Sequence, residues 1–221
     1  MLRFKKRKSI SDLDVPRSIE AIRKRIKIVV IDDDEFSFPY QLLSQSGYTI
    51  EWWNNIDERK LDRLEKNNFD IIILDINDIT SDEISKKDGY GILERLKEVN
   101  PSQIIIAFSG REYDIEKSDF FIKADDRLSK PVDFIKAKNT IDRIINQKVT
   151  LSHFWDSLYH YLKKNGVEEK KIRKVEKELI DAFSNQRKVN YEFIKTRALN
   201  GLEISGKVIG IITRLVELIG S

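Results

Sequence analysis

The stretch FDIIILDIND, residues 69–78, constrains the fold of this chain more than any other part of it. Four consecutive apolar residues, 71–74, are followed at once by a carboxylate, Asp75. A short apolar run that ends so abruptly is typical of a strand buried on both faces of a parallel sheet. Asp75 would then lie at the carboxyl end of its strand, where open α/β sheets bind their ligands.

The alternation of strand and helix patterns recurs five times between Ile26 and about Gln147. Apolar runs predict five strands, at 26–31, 48–53, 71–75, 103–109 and near Leu128. Apolar residues at helical spacing predict the helices that alternate with them, at 36–45, 61–68, 92–100 and 134–145. Repeated units of this length predict a doubly wound α/β fold with a five-stranded parallel sheet.

Polar residues follow several of these strands, and parallel strands bring them to the same end of the sheet. Strand one runs into Asp32 and Asp33, strand four ends in Ser109, and strand five leads to Lys130. Three carboxylates close together repel one another unless a cation joins them, and Mg²⁺ accepts such oxygen ligands. An ammonium group and a hydroxyl beside that ion complete a phosphoryl pocket, with Asp75 as the nucleophile.

Taken together, these pieces resemble the receiver domains of two-component response regulators. Five segments in the family's order carry the resemblance: VVIDDDE (29–35), IIILDIN (71–77), DGYGILERLK (88–97), IIIAFSG (104–110) and ADDRLSKP (124–131). They cover about 120 residues. The resemblance implies a flavodoxin-like sheet with strand order 2-1-3-4-5.

The resemblance also implies a role for each acidic residue of the site. Asp75 would accept a phosphoryl group from a phosphohistidine on a histidine kinase or a histidine phosphotransfer protein. Asp33 would bind Mg²⁺ directly and Asp32 mainly through water, while Asn77 would offer its backbone carbonyl. The chain is thus expected to be a phosphoacceptor that loses the group by hydrolysis, and not an enzyme that turns over a substrate.

Three further residues would contact the phosphoryl group or support those that do. Lys130 would pair with a phosphoryl oxygen, and Pro131, usually preceded by a cis peptide in receivers, would turn the loop that holds it. Ser109 would donate a hydrogen bond and start the conformational switch. The small residue Gly110 would offer its backbone N–H.

The sequence departs from the family's pattern at three places near the site. The loop DITSDEISKK (78–87) is several residues longer than usual and lacks proline, so it is expected to affect partner choice or phosphoryl lifetime. Arg127 replaces the usual aromatic of strand five and is predicted to face outward, on a partner surface. Arg111 lies two residues after Ser109, where side chains can obstruct the hydrolytic water. Arg127 and the long loop favour the alternative of a phosphorylation-independent pseudo-receiver scaffold, while Arg111 leaves the phosphoryl lifetime open.

The chain is predicted to comprise a basic N-terminal extension (1–25), a receiver domain (26–148) and a helical output domain (149–221). A short helix is expected within 18–25. Four helices are expected in the last part, at 154–165, 167–183, 191–199 and 208–219. Helices so close together predict a small bundle that binds a protein partner or forms a homodimer.

The sequence leaves other functions of the helical output domain open. A DNA-binding output domain would make the chain a transcription factor, although the last helix is too apolar for a recognition helix. His160 and Lys163 echo the His-x-x-Lys spacing of phosphotransfer domains, and the last helix could also bind anionic lipid. A net charge of +3, no cysteine, no apolar run of membrane-spanning length and no signal peptide together predict a cytoplasmic protein without a thiolate or disulfide site.

Overall fold

The apolar runs of the sequence form five strands in one sheet, in the order 2-1-3-4-5. The strands are β1 (Lys27–Ile31), β2 (Thr49–Trp53), β3 (Ile71–Asp75), β4 (Ile104–Ser109) and β5 (Asp126–Ser129). All four pairings between these strands are parallel. The predicted doubly wound parallel sheet and its strand order are therefore confirmed.

The computed structural model describes residues 9–14, 18–110, 122–199 and 205–219. These residues form two compact units. The sheet unit comprises residues 18–148, and the helical unit combines residues 9–14 with the residues from Val149 onward. The chain thus contributes to the helical unit both before and after it forms the sheet.

Within the part of the chain that the structure describes, five α-helices with defined bounds accompany the sheet: α1 (Ile19–Arg23), α2 (Tyr40–Gln45), α3 (Glu58–Glu65), α4 (Asp88–Val99) and α5 (Phe134–Lys148). Successive strand residues point to opposite faces, and both faces are covered. Val29 and Leu74 pack with apolar residues of α3 and α4 in one core. Helices α1 and α2 pack against α5. Residues in every position of β3 are buried, which explains why its sequence is continuously apolar up to Asp75.

The helix predicted over 36–45 is shorter in the structure and divided. A 3₁₀ turn, Glu35–Ser37, comes first, and α2 begins only at Tyr40. Pro39 is the N-cap of α2 and does not lie in its first turn. The 3₁₀ turn is stabilised by the Asp34 carboxylate, which accepts a hydrogen bond from the Phe36 N–H at 3.0 Å. This competing local cap explains the delayed helix start.

The predicted N-terminal extension, residues 1–25, is divided between the two units. The short helix expected within 18–25 is α1, and Arg23 at its end joins it to α5. The Arg23 guanidinium donates to Asp142 at 3.0 Å through Nε, and the Tyr48 hydroxyl donates to the same carboxylate. Because this pairing is largely buried, the sheet unit begins before residue 26.

The segment 9–14 is part of the helical unit, where its 3₁₀ turn (Ile10–Leu13) packs against α6 (Leu151–Lys164) and α7 (Glu169–Ser184). Asp14 accepts hydrogen bonds from the first backbone N–H groups of α6, Leu151 at 2.7 Å and Ser152 at 3.1 Å. A carboxylate at this position also interacts favourably with the helix dipole. Residues 1–8 of the predicted extension lie outside the described residues.

The other helices of this unit are a π-helix (Phe193–Ala198) and α8 (Ser205–Ile219). The π-helix replaces most of the regular helix expected over 191–199, and it packs against both α7 and α8. Apolar residues of α8 are buried in the bundle, namely Val208, Ile211 and Ile212. Burial in the bundle thus accounts for the apolar character of these three residues of the helix. Among the described helices, none combines the length and the apolar character needed to cross a bilayer.

Candidate functional site

The ammonium group of Lys130 lies between two carboxylates at the carboxyl ends of the strands. Its Nζ donates to Asp32 Oδ1 at 2.7 Å and to Asp75 Oδ2 at 2.5 Å. Both carboxylates are buried, Asp32 completely and Asp75 with 4% of its surface exposed. The three residues are far apart in the sequence, and the parallel sheet brings them together as predicted.

Backbone hydrogen bonds position each of these residues. Asp32 directly follows β1, and its N–H donates to the Trp53 carbonyl at the end of β2 at 3.0 Å. Asp75 is the last residue of β3, and its Oδ1 accepts from the Ile76 N–H at 2.6 Å. The Lys130 N–H donates to the Ser109 carbonyl at 2.9 Å. The Lys130–Pro131 peptide is cis, as the resemblance implied.

The electrostatics of the site reflect burial together with a shortage of positive charge. Burial raises the pKa of Asp75, although Lys130 and the Ile76 N–H act in the opposite direction. Asp33 is an exposed residue, but the partial burial of its carboxyl group and a hydrogen bond with Asp32 raise its pKa. Burial acts to lower the pKa of Lys130, but its bonds to Asp32 and Asp75 outweigh this and raise it.

The acidic cluster has the composition and spacing of a magnesium site. One carboxylate oxygen from each of Asp32, Asp33 and Asp75 lies within 4.8 Å of the others. Hard oxygen ligands and an excess of negative charge over the single Lys130 ammonium suit a divalent cation such as Mg²⁺. The residues present therefore fit the ion that the sequence predicted.

The other predicted site residues are near this cluster or outside the described residues. Ser109 ends β4 and is 94% buried, since 6% of its surface is exposed. Asn77 is half-buried, two residues beyond the end of β3. Arg127 is exposed on β5, as predicted, while its role on a partner surface stays a prediction. Arg111 lies outside the described residues.

Gly110 is exposed, and a Cβ added there would lie 3.6 Å from the Cβ of Lys130, an ordinary contact. Packing therefore does not require a glycine at this position.

Gly89 is a site-forming residue that the sequence reasoning did not single out. A Cβ at this position would lie 2.0 Å from the backbone carbonyl oxygen of Asp75, so only glycine allows α4 to begin so close to β3. The Gly89 N–H also donates to the Ile76 carbonyl at 3.0 Å. The only sequence signal was its place in the segment DGYGILERLK.

The long loop 78–87 is attached to the sheet unit at both ends. Ile79 is completely buried in the core between the sheet and helices α3 and α4. The Asp88 carboxylate accepts hydrogen bonds from the backbone N–H groups of Ile79 at 3.2 Å and Thr80 at 3.0 Å. The insertion thus has an ordered base next to the site, and its effect on partner choice stays a prediction.

Ser37 is a second residue that the sequence reasoning missed. Its hydroxyl donates to the Asp32 carboxylate through Oδ2, and its backbone carbonyl accepts from the Val132 N–H at 3.1 Å. No sequence pattern marks this serine, and its contact with Val132 depends on the approach of the loop after β5.

A family comparison agrees with this geometry. The model of the response regulator receiver domain matches residues 28–142, just over half of the chain. The chain therefore belongs to the receiver domain family of two-component response regulators. A search among curated proteins finds no match.

Several solved structures are similar to part of the chain. A two-component response regulator from Clostridium difficile shares 23% identity over 55% of this chain and 97% of its own, with a TM-score of 0.45. A CheY-like receiver domain protein from Methanospirillum hungatei JF-1 shares 23% identity over 56% and 95%, with a TM-score of 0.47. NtrX from Brucella abortus shares 21% identity over 56% and 28%, with a TM-score of 0.47.

Proposed function

We propose that this response regulator accepts a phosphoryl group on Asp75, in a Mg²⁺-dependent reaction with a phosphohistidine of a histidine kinase or phosphotransfer protein. The observation that carries the proposal is the position of the Lys130 ammonium between Asp32 and Asp75, with Asp33 beside them. Two buried carboxylates contact the one ammonium, and a third lies beside them. This excess of negative charge at a buried position favours a site for a cation and a phosphoryl group.

The residues of the site suit the steps of this transfer. The Asp75 carboxylate forms a bond to phosphorus as the bond from phosphorus to the histidine nitrogen breaks, and the electron pair remains on the imidazole. Lys130 pairs with the phosphoryl oxygens and stabilises their charge. Bound Mg²⁺, held by Asp32, Asp33 and Asp75 with the Asn77 carbonyl, would neutralise further charge there. The Ser109 hydroxyl and the Gly110 N–H donate to the transferred group.

Intact mass spectrometry after incubation with acetyl phosphate tests the proposal. We expect a single phosphoryl adduct on the wild type that requires Mg²⁺ and is absent from Asp75→Asn. A matched control is Asp57→Asn, since the Asp57 carboxylate caps α3 by accepting from the Lys60 N–H at 2.7 Å, a role that asparagine can also fill. An adduct that persists in Asp75→Asn would exclude Asp75 as the acceptor.

A folded wild type without an adduct and without Mg²⁺ binding would instead support the alternative of a pseudo-receiver scaffold. The complete set of Asp32, Asp33, Asp75, Ser109 and Lys130 at one end of the sheet argues against that alternative.

The helical unit is proposed as the output, a module for a protein partner or for homodimerisation. Its place outside the residues that match the receiver domain, 28–142, supports an output role for this unit. Sedimentation of the phosphorylated and unphosphorylated chain tests it, and a change in oligomeric state is the expected result for a dimerisation module.

DNA binding by the helical unit is not favoured, but it is readily tested. A transcription factor would show DNA affinity that falls steeply with salt and depends on the helical unit. A cytoplasmic location is part of the same proposal and is tested by fractionating cells that express a tagged chain.

A further inference from the structure

Ser37 contacts both sides of the proposed phosphoryl site. It is 4% exposed, and its hydroxyl donates to Oδ2 of the completely buried Asp32. Its backbone carbonyl accepts from the N–H of Val132 at 3.1 Å, in the loop that follows Lys130. One serine therefore connects the first acidic residue of the site to the segment that carries its lysine.

The two oxygens of Asp32 have different partners. Oδ1 accepts from Lys130 Nζ at 2.7 Å and from the Asp34 N–H at 3.0 Å, whereas Oδ2 accepts from Ser37. The Ser37 hydroxyl also lies 2.9 Å from the Asp34 carbonyl, but it has one proton, and a carboxylate is the stronger acceptor. The Asp34 carbonyl has another donor, the Ser37 N–H at 3.2 Å. The hydroxyl is thus available to Asp32.

The orientation of an aspartate carboxylate depends on such partners, because its terminal torsion has a broad energy minimum. A cation bound beside Asp32 would compete with Lys130 for Oδ1, which would keep the Asp34 N–H as a partner. The Ser37 bond to Oδ2 does not involve the lysine and can persist. Together these two bonds would keep the carboxylate directed toward the cation site.

We infer that Ser37 is a positioning residue for Mg²⁺ binding, which acts through the orientation of Asp32. The inference rests on the proposed function, since it concerns the same cation site. Hydrogen-bonding partners of metal ligands typically change metal affinity by about 10- to 100-fold when they are removed. We therefore expect Ser37→Ala to weaken Mg²⁺ binding by about tenfold.

Calorimetric titration of the full chain with Mg²⁺, without any phosphodonor, tests this directly. Ser37→Thr retains the hydroxyl and should bind Mg²⁺ within about threefold of the wild type. Ser37→Cys, nearly the same size but a weak donor, should lower the affinity in the same direction as alanine. The cysteine variant keeps the test open if the alanine variant does not fold.

The matched control is Ser102→Ala. Ser102 is 3% exposed and its hydroxyl donates to Asn100 Oδ1 at 2.6 Å, at the opposite ends of the strands. It should lose stability to urea but retain wild-type Mg²⁺ affinity. The rate of phosphorylation by acetyl phosphate provides a second measurement. For Ser37→Ala, the Mg²⁺ concentration at half-maximal rate should rise about tenfold, while the rate at saturating Mg²⁺ should change less than threefold.

Wild-type Mg²⁺ affinity in folded Ser37→Ala would overturn the inference and leave the proposed function intact. An equal loss of affinity in Ser102→Ala would also overturn it, because the effect would then follow from general destabilisation. A wild type that does not bind Mg²⁺ would instead refute the proposed function, so the two failures are distinguishable.

Discussion

At the carboxyl ends of the strands, three carboxylates share one ammonium group, whereas at the amino ends the described polar groups are matched within the protein. Asn100 Oδ1 accepts from the Ser102 N–H and hydroxyl, and its Nδ2 donates to Asn67 Oδ1 at 2.7 Å. The Gln103 side chain donates to the Asp70 carbonyl at 3.1 Å. These uncharged groups satisfy one another's hydrogen bonds, so they do not form a binding site for a charged ligand.

The difference shows how buried polar groups divide between stability and chemistry. A matched network stabilises the fold and needs nothing from solution. Burial is the largest cause of the raised pKa values of Asp33 and Asp75, and the charge of Asp32 adds to it. Buried carboxylates that outnumber their cationic partners are therefore what distinguishes a candidate site from a structural network in this molecule.

The largest effect is expected from Lys130→Met. Removing the ammonium group should lower the rate of phosphoryl acceptance from acetyl phosphate by about 100-fold or more, because the transferred group loses a charged partner. A time course by intact mass at saturating Mg²⁺ measures it. Lys97→Met is a matched control, since Lys97 pairs with Asp125 at 2.6 Å and lies away from the site. Similar rates in the two variants would contradict a role of Lys130 in the chemistry.

Gly89→Ala should destabilise the sheet unit by about 3 kcal/mol, the upper part of the range for overpacking, because the new methyl group would collide with the Asp75 carbonyl. Urea unfolding followed by circular dichroism measures the loss. Gly110→Ala, at the same end of the sheet, should change stability by no more than about 0.5 kcal/mol. Equal losses of stability in the two variants would contradict the claim that the contact between α4 and β3 leaves no room for a side chain at Gly89.

At the amino ends, Asn100→Ala should lower the free energy of unfolding by about 2 kcal/mol, because buried partners lose their hydrogen bonds. Its Mg²⁺ affinity and phosphorylation rate should remain within twofold of the wild type. The same urea and calorimetric measurements test both statements. A change in Mg²⁺ affinity would show that the two ends of the sheet are energetically coupled.

The smallest effect on stability is expected at Asp142, an aspartate whose charge is balanced by the nearby Arg23 and Lys138. Burial alone would raise its pKa, but hydrogen bonds from Arg23, Tyr48 and Lys138 outweigh burial and lower it. The folded form therefore binds a proton less readily than the unfolded chain, and this stabilisation is present above the ordinary pKa of 3.8. It is lost as the pH falls through the lowered value.

Asp142→Asn should consequently be about 1 kcal/mol less stable than the wild type near neutral pH, the order of one hydrogen bond. The difference should shrink as the pH falls below about 4, where the carboxyl of the unfolded chain binds a proton and that of the folded wild type does not yet do so. Urea unfolding of both proteins across this pH range measures it. A difference in unfolding free energy that does not vary with pH would indicate that the charge of Asp142 does not contribute to stability.

The sequence predicted the site best where a residue directly follows an apolar strand. Asp32 and Asp75 were identified in this way, since the end of a buried strand is visible as the end of an apolar run. Lys130 follows a strand with one buried residue, Leu128, and was identified from its place before Pro131 in the segment ADDRLSKP.

Ser37 and Gly89 were missed because no residue pattern records their contacts. Ser37 bonds to the nearby Asp32 and to Val132 of a distant loop, and Gly89 lies against the Asp75 carbonyl. A serine shortly before a helix, such as Ser37 before α2, has an ordinary local explanation, and so has a glycine in a first turn, such as Gly89 in α4.

What the sequence by itself determined is the sheet and its acidic end, because a parallel strand buried on both faces requires a continuous apolar run. Only the tertiary structure decided that Asp14 caps α6, that Arg23 joins α1 to α5, and that the Ser37 carbonyl accepts from the Val132 N–H. The Asp14 contact spans 137 positions of the chain. Contacts of this kind depend on how finished elements approach one another, and no local periodicity records that approach.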